Sequence, residues 1–276
     1  MRKMISKENK LLIRRYLYSM INMYGIIPLR HAYHIFSHQN PLLNIEEDDF
    51  WEFTMLDQSG QDYNVAGEGE LAQVDLDEDD DEEFYLYGDW VLMDLPVDFK
   101  RIKALQKNRL YYVPVKDEFL RRENEWYYER TTATEEYRQY LKDSNPGLSD
   151  DRLEEAFFEA LTQLHAVSYG KTVEETINSI PKALKKMGFN VKDDDEGDLR
   201  HLLRRMLDGT RQEALRGRMY KYHNLPSSLE LLEREGLTDE NVERIHTGEL
   251  DAAEVADEIA AKAPDLAAQL MTLYQQ

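Results

Sequence analysis

The chain has 276 residues, a mean hydropathy of −0.68, a formal charge of −21 and no cysteine. That length predicts one large domain or two to three small ones, and 42% apolar with 11% aromatic residues suffices for a sizeable core. The missing cysteines exclude disulfides, thiol nucleophiles and thiolate zinc sites, and the net charge opposes DNA, RNA and anionic membranes as partners while favouring basic proteins.

The N-terminus, MRKMISKENK, lacks the apolar core of a signal peptide, and no 18-residue apolar run follows it. A cytoplasmic protein with no membrane association is therefore expected. Residues 1–36 are basic, with a net charge of +6. Ser6 reads as the cap of a first helix, whose apolar positions Leu11, Leu12, Tyr16, Leu17, Met20 and Ile21 run to Tyr24-Gly25. Pro28 suits the first turn of a second helix that closes before Gln39-Asn40-Pro41. A third helix fits Glu46 to Leu56, with Ile45, Phe50, Phe53 and Leu56 inward and acids in its first turn.

The period then changes. Asn64–Val74, Glu83–Met93 and Arg109–Val115 read as strands rich in Tyr, Val and Trp. Three helices followed by a small sheet predict a winged-helix-like domain over residues 1–115. From Lys116 the pattern is helical: Lys116–Glu129, Thr134–Lys142, Asp150–Ser168, Thr172-capped Val173–Met187 with Pro181 as a kink or break, Leu199–Leu207 and Leu229–Glu235. Val191–Gly197 reads as a polar loop, and Gly236 as a hinge before two or three short amphipathic helices. The expected class is α+β, mainly α: a winged-helix-like domain with a small antiparallel sheet, a helical domain over 116–235 and a small helical unit over 236–276.

One stretch dominates the chemistry. From His31 to Phe99, 69 positions carry no Lys or Arg but twenty carboxylates, interleaved with aromatics such as Phe50, Trp51, Tyr63, Phe84 and Trp90. Aromatics in that number need a core, so this is a folded surface of one sign rather than an acidic tail. Its candidate partner-binding residues are Glu46, Glu47, Asp48, Asp49, Asp77, Asp79, Asp80, Asp81, Glu82 and Glu83. Carboxylates on a rigid scaffold can imitate duplex phosphates and occupy a basic channel. Asp77-x-Asp79-x-Asp81 lacks the central Gly and the final Glu of a calcium loop. The bland reading is a solvated acidic face.

The third helix, as a recognition helix, would present Glu46, Glu47, Asp48, Asp49, Glu52 and Asp57 to DNA, each opposing counterion release. Only Lys10, Arg14 and Arg15 on the first helix remain for phosphate contact, which defines the alternative, a DNA-binding transcription regulator. His31, His34 and His38 share one helix face, but the packing residues Tyr33 and Phe36 beside them favour surface or half-buried histidines over a metal site. Arg204, Arg205, Arg211, Arg216, Arg218 and Lys221, mixed with Tyr220, Tyr222 and His223, are expected to pair internally with the acidic block. No catalytic motif, metal or cofactor is expected.

Leu110-Tyr111-Tyr112-Val113-Pro114-Val115-Lys116-Asp117-Glu118-Phe119-Leu120 and Asp208-Gly209-Thr210-Arg211…Arg216-Gly217…Leu225-Pro226…Leu229 carry a resemblance. Over roughly residues 5–235 the chain resembles uncharacterised proteins of Gram-positive bacteria and their mobile elements. The resemblance implies a winged-helix-like part followed by a helical part, often ending in a SEC-C-type zinc module, and a bacterial or phage origin. The chain departs from it by having no cysteine, hence no such module, and by extra residues between Gly217 and Pro226. The expected function is a non-enzymatic interaction protein that engages a basic, nucleic-acid-handling partner, in its sharpest form a nucleic-acid-mimicking regulator or inhibitor.

Overall fold

A computed structural model describes residues 5–59, 61–75, 82–191 and 196–275. The described residues are mainly helical with a three-stranded antiparallel sheet. The chain divides into two compact units: Met1–Glu125 with Glu213–Gly217 and Leu225–Gln276, and Trp126–Gln212 with Arg218–Asn224. Among the described residues no helix is long and apolar enough to cross a membrane.

In the first unit, α1 (Lys7–Tyr24) is capped by Ser6, whose side chain accepts from the Asn9 N–H at 3.2 Å. The next elements are β1 (Ile26–Pro28), α2 (Leu29–Gln39), α3 (Glu47–Asp57), β2 (Tyr63–Gly67), α4 (Glu68–Ala72), β3 (Phe84–Gly88), α5 (Val97–Gln106) and α6 (Lys116–Phe119). The sheet order is β1-β3-β2, with Ile26 opposite Tyr87 and Val65 opposite Leu86. Ile13, Tyr16, Leu17, Phe36, Phe50, Tyr63, Leu86, Tyr111 and Phe119 form its main core. After Leu225 come α11 (Ser228–Glu235), α12 (Asp239–His246), α13 (Ala252–Ile259) and α14 (Pro264–Tyr274), around a second core of Leu110, Leu232, Ile245, Val255 and Leu270.

Several expected elements change here, each for a tertiary reason. β1 is a strand where none is expected from sequence: Ile26 and Ile27 fall between the first two helices, and Pro28, expected in the first turn of the second, ends the strand instead. β2 stops at Gly67 because the Glu68 N–H turns to the Glu83 carbonyl at 2.8 Å and α4 begins. β3 stops at Gly88, where an added Cβ would lie 2.9 Å from the Trp90 ring. Arg109–Val115 is not a strand: Tyr111 and Tyr112 donate to the carbonyls of Glu249 and Arg216, and Pro114 has no donor. The helix expected over Lys116–Glu129 is only α6 plus a 3-10 turn at Leu120–Glu123, since Asn22 Nδ2 binds the Arg122 carbonyl at 2.7 Å. Leu56, assigned inward, is 75% exposed, while Thr54 turns in and bonds the Phe50 carbonyl.

The second unit packs α7 (Thr132–Ser144), α8 (Asp150–His165), α9 (Val173–Lys186) and α10 (Glu196–Asp208) around Tyr137, Phe157, Leu164, Ile180, Leu184 and Leu203. Pro181 lies within α9, which continues through it as one helix. Part of the expected Val191–Gly197 loop lies outside the described residues. Thr172 and Glu175 complete a capping box, the Thr172 hydroxyl accepting from the Glu175 N–H and the Glu175 carboxylate from the Thr172 N–H. Thr172→Ala should therefore lower the stability of this unit by about 1 kcal/mol. Thermal unfolding followed by Trp126 fluorescence checks it, and an unchanged midpoint would contradict the cap's contribution.

Candidate functional site

The acidic face begins where α3 begins. Glu46 is the extended N-cap residue, and Glu47, Asp48 and Asp49 fill the first turn, where carboxylates complement the helix dipole. Phe50 and Phe53 bury the opposite side of the helix. At the far end, Arg14 grips Asp57 with two nitrogens, and the Tyr63 hydroxyl donates to the same carboxylate at 2.7 Å. The Arg14 bonds hold Asp57 below the usual carboxylate range. The helix presenting Glu46, Glu47 and Asp48 to solvent is thus fastened at both ends.

Of the second acidic run, Asp77, Asp79, Asp80 and Asp81 lie outside the described residues. Glu82 and Glu83 are described, and they line a cleft of about 620 Å³ with Trp51, Lys103 and Asp257. Glu83 is already engaged within the unit: Arg30 Nε lies 2.8 Å from one carboxylate oxygen, and the Tyr85 hydroxyl donates to the other at 2.5 Å. Burial raises the Glu83 carboxyl above its ordinary range, against the pull of Arg30.

The cations of the alternative reading are occupied as well. Arg14 is held by Asp57, Arg15 Nε donates to Glu123 at 2.7 Å, and Lys10 lies 5.7 Å from the centre of the Phe53 ring. The later basic cluster pairs internally, though not with the acidic block. Arg204 binds Glu174, Arg205 binds Glu136 at 2.6 Å, Arg211 binds Glu129 at 2.5 Å, and Arg216 binds Glu254 at 2.7 Å. Their partners are carboxylates of α7, α9 and α13 and, for Arg211, of the segment before α7.

Of the three histidines, His34 is half-buried and His38 exposed as expected, and only His31 differs. His31 is fully buried, its Nε2 2.9 Å from the Gly248 carbonyl and its Nδ1 3.5 Å from Asp251. Burial pushes its imidazole down to about 4, against the upward pull of Asp251. His34 Nε2 lies 2.9 Å from the Ile245 carbonyl, so both rings spend a nitrogen on backbone rather than on an ion. Among the described residues no group of three or more His, Asp or Glu is arranged to hold a metal.

Around His31 lies a buried charged knot that sequence reading did not find. Asp251 is the N-cap of α13, accepting from the Glu254 N–H at 3.1 Å. Burial works to raise its carboxyl, but His31, Arg216 and Arg30 hold it below the ordinary range. Arg216 is 3% exposed; it donates to the Arg109 carbonyl at 2.8 Å and sits 4.2 Å from the centre of the Tyr111 ring. The knot's inner members His31, Asp251 and Arg216 are buried, and they tie α2 to the start of α13 and the segment before it. Asp251-x-x-Glu254 before an Ala-rich run was visible as a cap, but its neighbours were not.

A second cleft, of about 780 Å³, opens beside the acidic face, where α2, α3, α12 and α14 meet. Glu46, Glu47, Glu243, His38 and Tyr274 are on its wall, the last three unassigned or dismissed from sequence.

Comparison with known proteins found no matching family, curated protein or solved structure. The arrangement of side chains therefore carries the functional reading alone.

Proposed function

We propose that the chain is a non-enzymatic interaction protein that engages a basic, nucleic-acid-handling partner through the acidic face between Glu46 and Glu83, as a nucleic-acid-mimicking regulator or inhibitor. The observation that carries this is the start of α3. Glu46, Glu47 and Asp48 stand exposed on a helix that Phe50, Phe53 and the Arg14–Asp57 fork hold rigid. Charges fixed in register lose little freedom on binding, and they attract a basic channel over long range.

The element order α1-β1-α2-α3-β2-α4-β3, with strands ordered β1-β3-β2, supports a winged-helix-like assignment for the N-terminal part, with α4 inserted between the last two strands. In that architecture α3 takes the position of the groove-reading helix, and here it carries Glu47, Asp48, Asp49, Glu52 and Asp57 without a cation. This inverted charge favours a contact with whatever protein itself binds nucleic acid. The DNA-binding alternative draws support from the same element order and would rest on Lys10, Arg14 and Arg15, two of which are ion-paired.

The test is affinity capture from bacterial lysate at low and high salt, with and without nuclease. The expected capture is a basic protein that elutes with salt and is displaced by added duplex DNA. Neutralising Glu46–Asp49 and Asp77–Glu83 to amides should weaken that binding by about a hundredfold, since each exposed pair contributes up to about 1 kcal/mol. Undiminished capture by the neutralised chain overturns the proposal. Recovery of DNA that disappears with nuclease, and with Arg14→Ala and Arg15→Ala, selects the alternative.

A further inference from the structure

The 780 Å³ cleft beside the acidic face is walled in part by carboxylates that no salt bridge ties down. Glu46 and Glu47 from the start of α3 and Glu243 from α12 line it, and none of the three forms an ion pair with a described residue. Other acids of the same stretch are matched: Asp57 with Arg14, Glu68 with Lys103, Glu83 with Arg30. Desolvation and the neighbouring Asp48 raise the Glu47 carboxyl above its ordinary range, and Arg30 offsets them only in part.

The rest of the wall carries the rings of Tyr33, His34, His38 and Tyr274 beside Ser37 and Arg30. Burial lowers both His34 and His38 below the ordinary imidazole range, so neither supplies a positive charge there. The Tyr274 ring stacks on His34 with centroids 4.5 Å apart, and its buried hydroxyl has no hydrogen-bond partner. Arg30, at the margin, is turned to Glu83 at 2.8 Å.

We propose that this cleft receives an arginine side chain of the basic partner, an inference that rests on reading the acidic face as a partner site. The fit is chemical. A guanidinium is a planar cation with five donors; it can satisfy separated carboxylates and a phenol oxygen while lying on an aromatic face. An ammonium offers the charge but neither the plane nor the fork, so arginine is preferred over lysine. The cleft turns a general attraction for basic surfaces into recognition of one residue, because a side chain seated in a pocket is shielded from water as one on the open face is not.

The test uses the full chain and Nα-acetyl-argininamide as the probe, at low salt, followed by NMR of histidine-labelled protein. The expected result is saturable shifts of the His34 and His38 ring signals, with Nα-acetyl-lysinamide binding about fivefold more weakly. Glu47→Gln and Glu243→Gln, both at exposed positions, should each weaken the arginine probe about tenfold. Tyr274→Phe, which keeps the ring, should weaken it about threefold. Non-saturating shifts, or an affinity unaltered in Glu47→Gln and Glu243→Gln, overturn the proposal.

The two readings fail separately. Saturable probe binding by a chain that captures no basic protein upholds the cleft and removes the partner reading. A captured partner whose affinity is unchanged by Glu47→Gln and Glu243→Gln upholds the acidic face and removes the cleft.

Discussion

Arg216→Ala is expected to destabilise the first unit by about 3–5 kcal/mol, the usual consequence of removing one partner from a buried ion pair. Arg216 is 3% exposed and donates to Glu254 at 2.7 Å and to the Arg109 carbonyl at 2.8 Å. Its guanidinium also covers the Tyr111 ring. Alanine would leave Asp251 and Glu254 facing one another without the charge that reconciles them, and would open a void beside Tyr111. Arg15→Ala in the same unit is the control, since the Arg15–Glu123 pair is exposed on both sides and such pairs contribute under about 1 kcal/mol. Urea unfolding followed by the fluorescence of Trp51 and Trp90 compares the two. Equal losses would mean that the knot adds nothing beyond a surface pair.

Acidification should unfold this unit through His31. Above pH about 6.5 the imidazole is neutral in both the folded and the unfolded chain, and it contributes no pH dependence. Burial holds the folded imidazole down to about 4. Between these values the unfolded chain takes up a proton that the folded chain refuses, so stability falls as the pH falls. The full loss is about 3 kcal/mol once the pH reaches the folded value.

Asp251, His34 and Arg216 are the charged or titratable groups acting on the ring, and His34 adds a loss of the same sign because its own value is lowered. Glu83 and Glu254, raised by burial, act in the opposite direction: they bind protons more readily in the folded chain. The clean observable is therefore the difference between the native chain and His31→Gln. Gln can still donate to the Gly248 carbonyl but does not titrate. That difference should shift by about 3 kcal/mol in favour of the variant between pH 7 and pH 4, read by urea unfolding at each pH. A difference independent of pH would refute a proton-refusing His31.

Local signals were legible wherever the physics is local. Ser6 before an apolar stripe and Gly25 after it bound α1, and Thr172 with Glu175 opens α9. These are contacts between residues three or four apart, fixed by helix geometry whatever the surroundings. The absence of cations from His31 to Phe99 was equally plain, and it sets the sign of the surface without any fold.

What the sequence left open were decisions made by distant partners. Arg109–Val115 has strand composition, yet its donors go to Glu249 and Arg216, more than a hundred positions on. His31, His34 and His38 share a helix face, but α12 and the turn before α13 give His31 and His34 carbonyls and, for His31, a carboxylate. The basic cluster finds its partners not in the acidic block but in Glu136 and Glu174 on nearer helices and Glu129 in the segment before α7. Glu243 and Tyr274 carried no signal until α12 and α14 stood beside Glu47. The sequence alone determined the capped helices such as α1 and α9 and the sign of the charge, because those follow from short-range spacing and counting. Only the tertiary structure decided which charges are spent on one another and which remain without a partner, because ion pairing depends on angstrom distances between elements that the chain's order does not fix.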